Sequence, residues 1–380
     1  MSASLPEFVE HITNPNDLIL DGSKVGWYPE RIQAWSRGER IAPITIDAAW
    51  TRKCNYACEF CYAQLQASQG HTITAKTAFE FLEDCAEIGV KGVSLISDGE
   101  SSLVPFYADS IEYGAKLGIK IGLGTNGFLL RKPMLERILP YVSYVRFNFS
   151  GGTREGYARI MGVDPSWYDA VVQNIKDAMA IKRQHNLGVT INMQLVCEPK
   201  YEPELVPFAE LACEIAPDYA IIKHCADDID GGLGIDYAQY GGLTNTFHAI
   251  ETMGQQRGTR IVVKWNRIAN EGKRQYSRCY GPPFIMQLSG NGLIAPCGFL
   301  FNEKWKAFHI GNICHTRWRD IWASERYMDV MKYLASSEFD PRQRCGPNCL
   351  QDRTNDFLYQ FKNGQTQLPM ASMPPHAEFI

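Results

Sequence analysis

The chain has no apolar run approaching the roughly 18–20 residues that a membrane helix requires, so a helical membrane span is not expected. Its first residues, MSASLPEFVEHITNPND, lack the basic start and apolar middle of a secretory signal. It also lacks an excess of charge of either sign. Thirty-eight Lys and Arg stand against 42 Asp and Glu, a formal net charge of −4. No positive field is therefore available to draw a phosphate backbone, and nucleic acid is not an expected partner. Nor is it short of apolar residues: 45% hydrophobic against 21% charged is a globular mix, which excludes a disordered chain. At 380 residues there is room for one to three domains. A cytoplasmic protein is expected.

Cysteine is what the chain has in excess, with 12 residues. In a reducing cytoplasm so many thiols are not explained by disulfides, and several stand at ligand-like spacings.

After residues 1–43, which show no clear period, short apolar runs alternate with amphipathic stretches. The runs predict strands at Ile44–Ala49, Gly92–Ser97, Ile119–Gly124, Tyr144–Ser150, Val189–Val196 and Tyr219–His224. Helices are predicted between them. In Thr74–Ile88, for instance, Ala78, Phe81, Cys85 and Ile88 recur at steps of three and four and form one stripe. Asp169–His185 and Glu204–Ile215 read alike. Strands alternating with helices imply parallel neighbours joined by crossovers. Six such units in about 180 residues suit an incomplete barrel. The pattern changes after Gly231–Gly234. A helix near Leu243–Gln256 and a strand near Arg260–Trp265 lead to short runs and frequent turns, and Ser-Gly-Asn-Gly at 289–292 marks a hairpin. The fold class is therefore α/β, a partial (β/α)6 TIM-type barrel over 44–240. An N-terminal extension (1–43) precedes it. A connector (241–278), a small α+β domain (279–360) and a tail of surface coil (361–380) follow.

Cys54-Asn-Tyr-Ala-Cys58-Glu-Phe-Cys61 follows the first strand. Three thiolates in eight residues can converge on one centre, and soft thiolates select zinc or iron–sulfur. A structural zinc site needs a fourth ligand, and the next Cys or His is His71. Three cysteines leave one corner of a 4Fe–4S cube open. This C-x3-C-x2-C after the first strand of a βα-repeat chain resembles the radical S-adenosylmethionine (radical SAM) superfamily. The resemblance implies that the open iron chelates the amino and carboxylate groups of S-adenosylmethionine. It also implies a low-potential electron donor such as flavodoxin or ferredoxin.

Further positions match residue by residue. Ser97-Asp98-Gly99-Glu100 resembles the family's Gly-Gly-Glu motif, with Asp98 replacing the first Gly, and makes Glu100 the partner of the methionine amino group. Phe60 matches the aromatic that packs on adenine. Asn126 in Thr125-Asn126-Gly127, Ser150 in Ser150-Gly151-Gly152, and Arg159 match contacts to the ribose and carboxylate. Asn192 and Gln194 alternate on strand five towards the same mouth, the C-terminal strand edge where such barrels place their sites. As structural alternatives, Phe60 fills core and Arg159 is a solvated helix residue.

Cys85, Cys197 and Cys213 read as inert core thiols. Cys279, Cys297, Cys345 and Cys349 frame the predicted hairpin and a tight Cys-Gly-Pro-Asn-Cys loop. With Gly311-Asn312-Ile313 and Ile321-Trp322, they resemble the twitch form of the SPASM domain, implying a second, auxiliary 4Fe–4S cluster. Cys314 falls outside the ligand positions of that phrase. A zinc ribbon is the alternative for four such cysteines.

The resemblance implies a 5′-deoxyadenosyl radical that takes hydrogen from an unactivated carbon, with the auxiliary cluster accepting an electron in an oxidation. Twitch-bearing relatives include an aminocyclitol alcohol oxidase, and the expected substrate is a small sugar, aminocyclitol or similar metabolite. Strand six ends in Lys223-His224-Cys225-Ala-Asp227-Asp228-Ile-Asp230. His224 or Asp227 suits a general base, and the acids suit an amine. Cys225 suits hydrogen return, as in an epimerase. A polar loop capping the barrel is the alternative. Adjacent side chains of one strand face opposite ways, so His224 and Cys225 compete. Lys264 and Arg267 suit a phosphate or carboxylate, or else a solvated face. Peptide modification and a non-catalytic zinc scaffold complete the alternatives.

Overall fold

A computed structural model describes residues 18–66, 71–265, 268 and 273–380. The reading of the first 17 residues, and that of Arg267, lie outside them. Among the described residues no helix is long and apolar enough to cross a membrane.

The chain is α/β. After α1 (Pro29–Ser36), six strands each lead into helix: β1 (Thr45–Ala48) to α2 (Ala75–Ile88), β2 (Gly92–Leu95) to α3 (Tyr107–Lys116), and β3 (Lys120–Thr125) to α4 (Lys132–Ile138). Then β4 (Val142–Asn148) leads to α5 (Arg154–Met161) and α6 (Ser166–Gln184), β5 (Thr190–Cys197) to α7 (Glu202–Ile215), and β6 (Tyr219–His224) to α8 (Thr244–Gln256). All six predicted strands are present within two residues of their expected ends. The chain forms two compact units.

The first unit holds Cys54–Tyr62 and Leu123–Gly272. In it β4, β5, β6 and β7 (Ile261–Val263) pair in parallel, in chain order. Period-2 alternation gives the strands two unlike faces. Val145, Phe147, Ile191, Met193, Leu195 and Ile222 form a buried apolar face. Tyr144, Arg146 and Asn148 of β4 point the other way, level with Thr190, Asn192 and Gln194 of β5.

The second unit holds Asp17–Lys53, Ala63–Gly122 and Lys273–Ile380. Here β1 pairs in parallel with β2 and β8 (Ile285–Leu288). The predicted hairpin is present: β8 runs antiparallel to β9 (Leu293–Ala295), which pairs with β10 (Gly311–Asn312). Helix α2 starts at Thr74, whose hydroxyl accepts from Thr77 N at 3.2 Å, and ends at Gly89 in the left-handed region. Its stripe buries Ala78, Phe81, Leu82 and Cys85.

Among the described residues, both 18–43 and the tail carry more structure than expected. The segment that shows no period contains α1, opened by Pro29 at its first turn, and buries Val25, Tyr28 and Ile32. The tail is not surface coil to its end. Ala377 joins that cluster, Phe379 is buried, and Thr45 Oγ1 accepts from Ile380 N at 3.1 Å.

Candidate active site

The three-cysteine loop belongs to the first unit and is fastened to the end of α5. Ala57 N donates to Met161 O at 3.3 Å, and Glu59 N to Ile160 O at 2.9 Å. The Tyr56 and Tyr157 hydroxyls meet at 2.9 Å. Gly162 closes the helix with φ +64, and a Cβ there would stand 2.4 Å from Ala57 O. Only glycine fits both demands. Fixing the backbone this way leaves the sulfurs accessible: Cys54 is exposed, while Cys58 and Cys61 are half-buried. Tyr56 N donates to Cys54 Sγ at 3.4 Å, and Cys58 Sγ lies 3.9 Å from Met161 Sδ. Three reachable thiols on a pinned backbone suit the open-cornered cluster.

The strand-end residues converge on this loop to different degrees. Asn126, after β3, donates from Nδ2 to Asn55 Oδ1 at 2.8 Å. Arg159 pairs with Glu59 at 3.6 Å and lies over the Tyr201 ring. The Phe60 side chain is half-buried, and its carbonyl accepts from the Cys225 thiol at 3.7 Å. Ser150 braces the backbone: its buried hydroxyl accepts from Val196 N at 2.9 Å. Gln194 donates to Asn148 Oδ1 at 2.9 Å, and Asn192, 1% exposed, donates weakly to Val145 O at 3.4 Å.

The three residues after β6 separate. Cys225 N continues the ladder to Cys197 O, so the strand alternation carries through. The Cys225 sulfur then lies against the cysteine loop, and burial pushes its thiol pKa well up, keeping it protonated. His224 faces away, buried with the Tyr237 and Tyr240 rings each 6.2 Å from its own. Asp227 organises the following loop: its carboxylate accepts from the backbone N–H of Asp228, Leu233 and Ile235 at 2.7–3.3 Å. Asp228 likewise accepts from Asp230 N and Gly232 N. Backbone amides therefore hold the oxygens that an amine or a proton would need.

In the second unit Glu100 is buried. Its N–H donates to Lys53 O, and its Oε1 accepts from the Ser102 backbone N–H (3.2 Å) and hydroxyl (2.7 Å). Gly99 has φ +72, and a Cβ there would meet Thr51 O at 2.1 Å, so this motif glycine is required. Asp98 accepts from Ser289 Oγ and Gly290 N, both at 2.7 Å, and pairs with Arg52 at 3.1 Å. It ties the end of β2 to the hairpin turn, and burial raises its pKa.

The second unit also gathers four cysteines from three segments, two of them from the one loop Cys345–Cys349. Cys279, Cys297 and Cys345 all feel the charge of Cys349, and burial with this mutual repulsion raises their pKa values, that of Cys345 to about 12. Arg274 stands beside Cys345 and Cys349, its guanidinium donating to Pro341 O and Gly346 O. Asn355 Nδ2 donates to Cys349 Sγ at 3.6 Å. Cys314 lies apart, its sulfur 3.8 Å from Asn291 O. Among the described residues no three His, Cys, Asp or Glu side chains are drawn tightly enough to hold a single ion. Four thiols with a cation beside them suit the donor set of a cluster whose ligands are thiolates.

Sequence reasoning missed the hub at Glu59. Besides Arg159, it accepts from the Tyr201 hydroxyl at 3.0 Å and pairs with Lys200 at 3.5 Å. A carboxylate between two ligand-spaced cysteines was its one sequence signal.

Comparisons with known proteins bear on this geometry. Residues 49–198 match the model of the Radical SAM superfamily, and residues 279–350 that of SPASM, an iron–sulfur cluster-binding domain. An AdoMet-dependent heme synthase of Methanosarcina barkeri is 23% identical over 332 residues, covering 80% of this chain and 88% of that protein. The Streptococcus suis SuiB structure with its precursor peptide SuiA superposes with a TM-score of 0.61 at 18% identity, over 86% of this chain and 79% of that one. The anSMEcpe structure with bound AdoMet does so at 0.57 and 14%, over 84% and 97%. At these identities the two structures show the shared fold.

Proposed function

Starting from a chain that belongs to the radical SAM superfamily and carries a SPASM domain, we propose that it oxidises a carbon of a small hydroxylated metabolite. Cys54, Cys58 and Cys61 hold the first 4Fe–4S cluster; Cys279, Cys297, Cys345 and Cys349 hold the auxiliary one. When bound, the clusters and S-adenosylmethionine supply a one-electron reductant, a carbon radical able to remove hydrogen from unactivated carbon, and an acceptor for the remaining electron. The protein binds and orients. Following the family resemblance, Phe60 would pack on the adenine, Asn126 and Arg159 would hold polar groups of the nucleotide, and Glu100 would receive the amino group. Ser150 acts through the backbone it braces.

The observation that carries this reading is the cysteine loop pinned to α5 with its thiols accessible. Anaerobically reconstituted protein is expected to bind about seven to eight irons with matching sulfide, and to form 5′-deoxyadenosine from S-adenosylmethionine under low-potential reduction. Stoichiometric zinc without sulfide would overturn it.

A second reading rests on Cys225, whose protonated sulfur adjoins the loop while His224 is turned away. A neutral thiol there would return a hydrogen atom to the substrate carbon, its S–H bond breaking; one electron from the low-potential donor and a proton from solvent would restore the thiol, giving inversion without net oxidation of the substrate. Reaction in deuterium oxide separates the two. An epimerase places deuterium on the product carbon and loses this with Cys225→Ala; an oxidase does neither.

A further inference from the structure

Resting on the oxidation reading, we infer that the substrate is an anion, a carboxylate or phosphate bearing a neighbouring hydroxyl, anchored by Arg146. None of the strands β3–β7 contains an Asp or Glu, whereas Arg146 and Lys223 both stand on the polar face of β4–β6. Arg146 of β4 is level with Asn192 of β5, which is level with Tyr219 of β6. These three form one row across three strands.

That row contains two unsatisfied atoms. Arg146 Nε, a donor, and Asn192 Oδ1, an acceptor, are both buried and have no hydrogen-bond partner. Buried polar atoms are normally paired, so these two groups suit a ligand that offers each its complement. A guanidinium calls for an oxyanion, which it can bind through two parallel N–H groups. The free oxygen of Asn192 calls for a donor alongside, which a hydroxyl next to the anionic group supplies. Gln194 and Asn148 lie one row nearer the strand ends, and Lys223 one row further. Cys225, on the same face, then meets the cysteine loop. A substrate held at Arg146 by its anionic end therefore extends its carbon chain towards the loop.

The same face speaks against an amine. The acids expected to hold one, Asp227 and Asp228, bind backbone N–H groups. An ammonium entering this part of the sheet would meet cations and no strand carboxylate.

The test is equilibrium binding of three probes to the reconstituted protein with S-adenosylmethionine: D-gluconate, D-glucose 6-phosphate and D-glucose. At least one anion is expected to bind ten-fold or more tightly than glucose, and the tighter of the two identifies a carboxylate or a phosphate. Arg146→Gln should abolish this preference and Arg146→Lys should retain part of it, with folding of each variant checked by thermal unfolding. Equal binding of all three probes, or a preference that survives Arg146→Gln, overturns the proposal. Either result can occur while the wild-type protein still forms 5′-deoxyadenosine, so it is distinct from failure of the oxidation reading, which loses that product.

Discussion

The two cysteine groups are built in opposite ways. Cys54, Cys58 and Cys61 lie within eight residues, and tertiary structure only has to hold their loop still, through Ala57, Glu59 and Gly162. Their sulfurs remain accessible. Cys279, Cys297, Cys345 and Cys349 come from segments up to 70 residues apart and meet, half-buried, beside Arg274. A reactive centre needs an open face and a rigid backbone. Ligands drawn from distant segments can also clamp the fold that surrounds them. Losing the first group should therefore cost activity, and losing the second should cost stability as well.

The largest expected effect is on chemistry. Replacing Cys54, Cys58 and Cys61 together with Ala should remove about four irons per chain and reduce 5′-deoxyadenosine to background, as read by chromatography of anaerobic reactions. Because the loop sits at the surface, the unfolding temperature should move by no more than a few degrees. A large drop would mean that the loop also supports the fold. Cys349→Ala is the contrasting change. It too should remove about four irons, yet 5′-deoxyadenosine should still form while the oxidised product does not, and the unfolding temperature should fall, because a metal centre joining distant segments contributes folding free energy. An unchanged melting curve would remove the clamp from the comparison.

Gly162→Ala tests the pinning itself. The left-handed backbone and the Ala57 carbonyl 2.4 Å from the new methyl together should cost about 1–3 kcal/mol by thermal unfolding. The methyl pushes directly on the cysteine loop, so 5′-deoxyadenosine formation should fall by about ten-fold or more with iron still bound. A stability loss without a rate loss would show that the loop tolerates displacement.

The same contrast explains what could be read in advance. The six strands were legible because short apolar runs are a local property. The first cysteine group was legible because its spacing is, and the second only through resemblance to a known domain. Asp98 departs from the motif because its partners, Ser289 and Gly290, lie some 190 residues onward, where no local pattern points. Ser150 was placed at the right strand end, but its hydroxyl is used by Val196, which pattern alone does not reveal. Helix α1 carried its signals, Pro29 followed by Glu30, but eight residues are too few for a clear period. The last residues are proline-rich until Ala377, whose burial depends on a cluster assembled from residues 25–44 together with Phe284 and Leu358.

The smallest effect concerns the cation of the enclosed group. Arg274 adjoins Cys345 and Cys349 and also fastens the chain on either side of Cys345 through Pro341 O and Gly346 O. A positive charge beside a cluster favours its reduced, more negative state, so Arg274→Gln should lower the auxiliary potential by tens of millivolts in a spectroscopic redox titration. The first cluster's potential should not move. Arg274→Lys retains the charge but loses the fork that grips two carbonyls. It should therefore restore the potential while leaving the loop less stable, separating the electrostatic role of this side chain from its structural one. If both variants titrate like the wild type, Arg274 is only a fastener, and enclosure by the four thiols alone sets the acceptor.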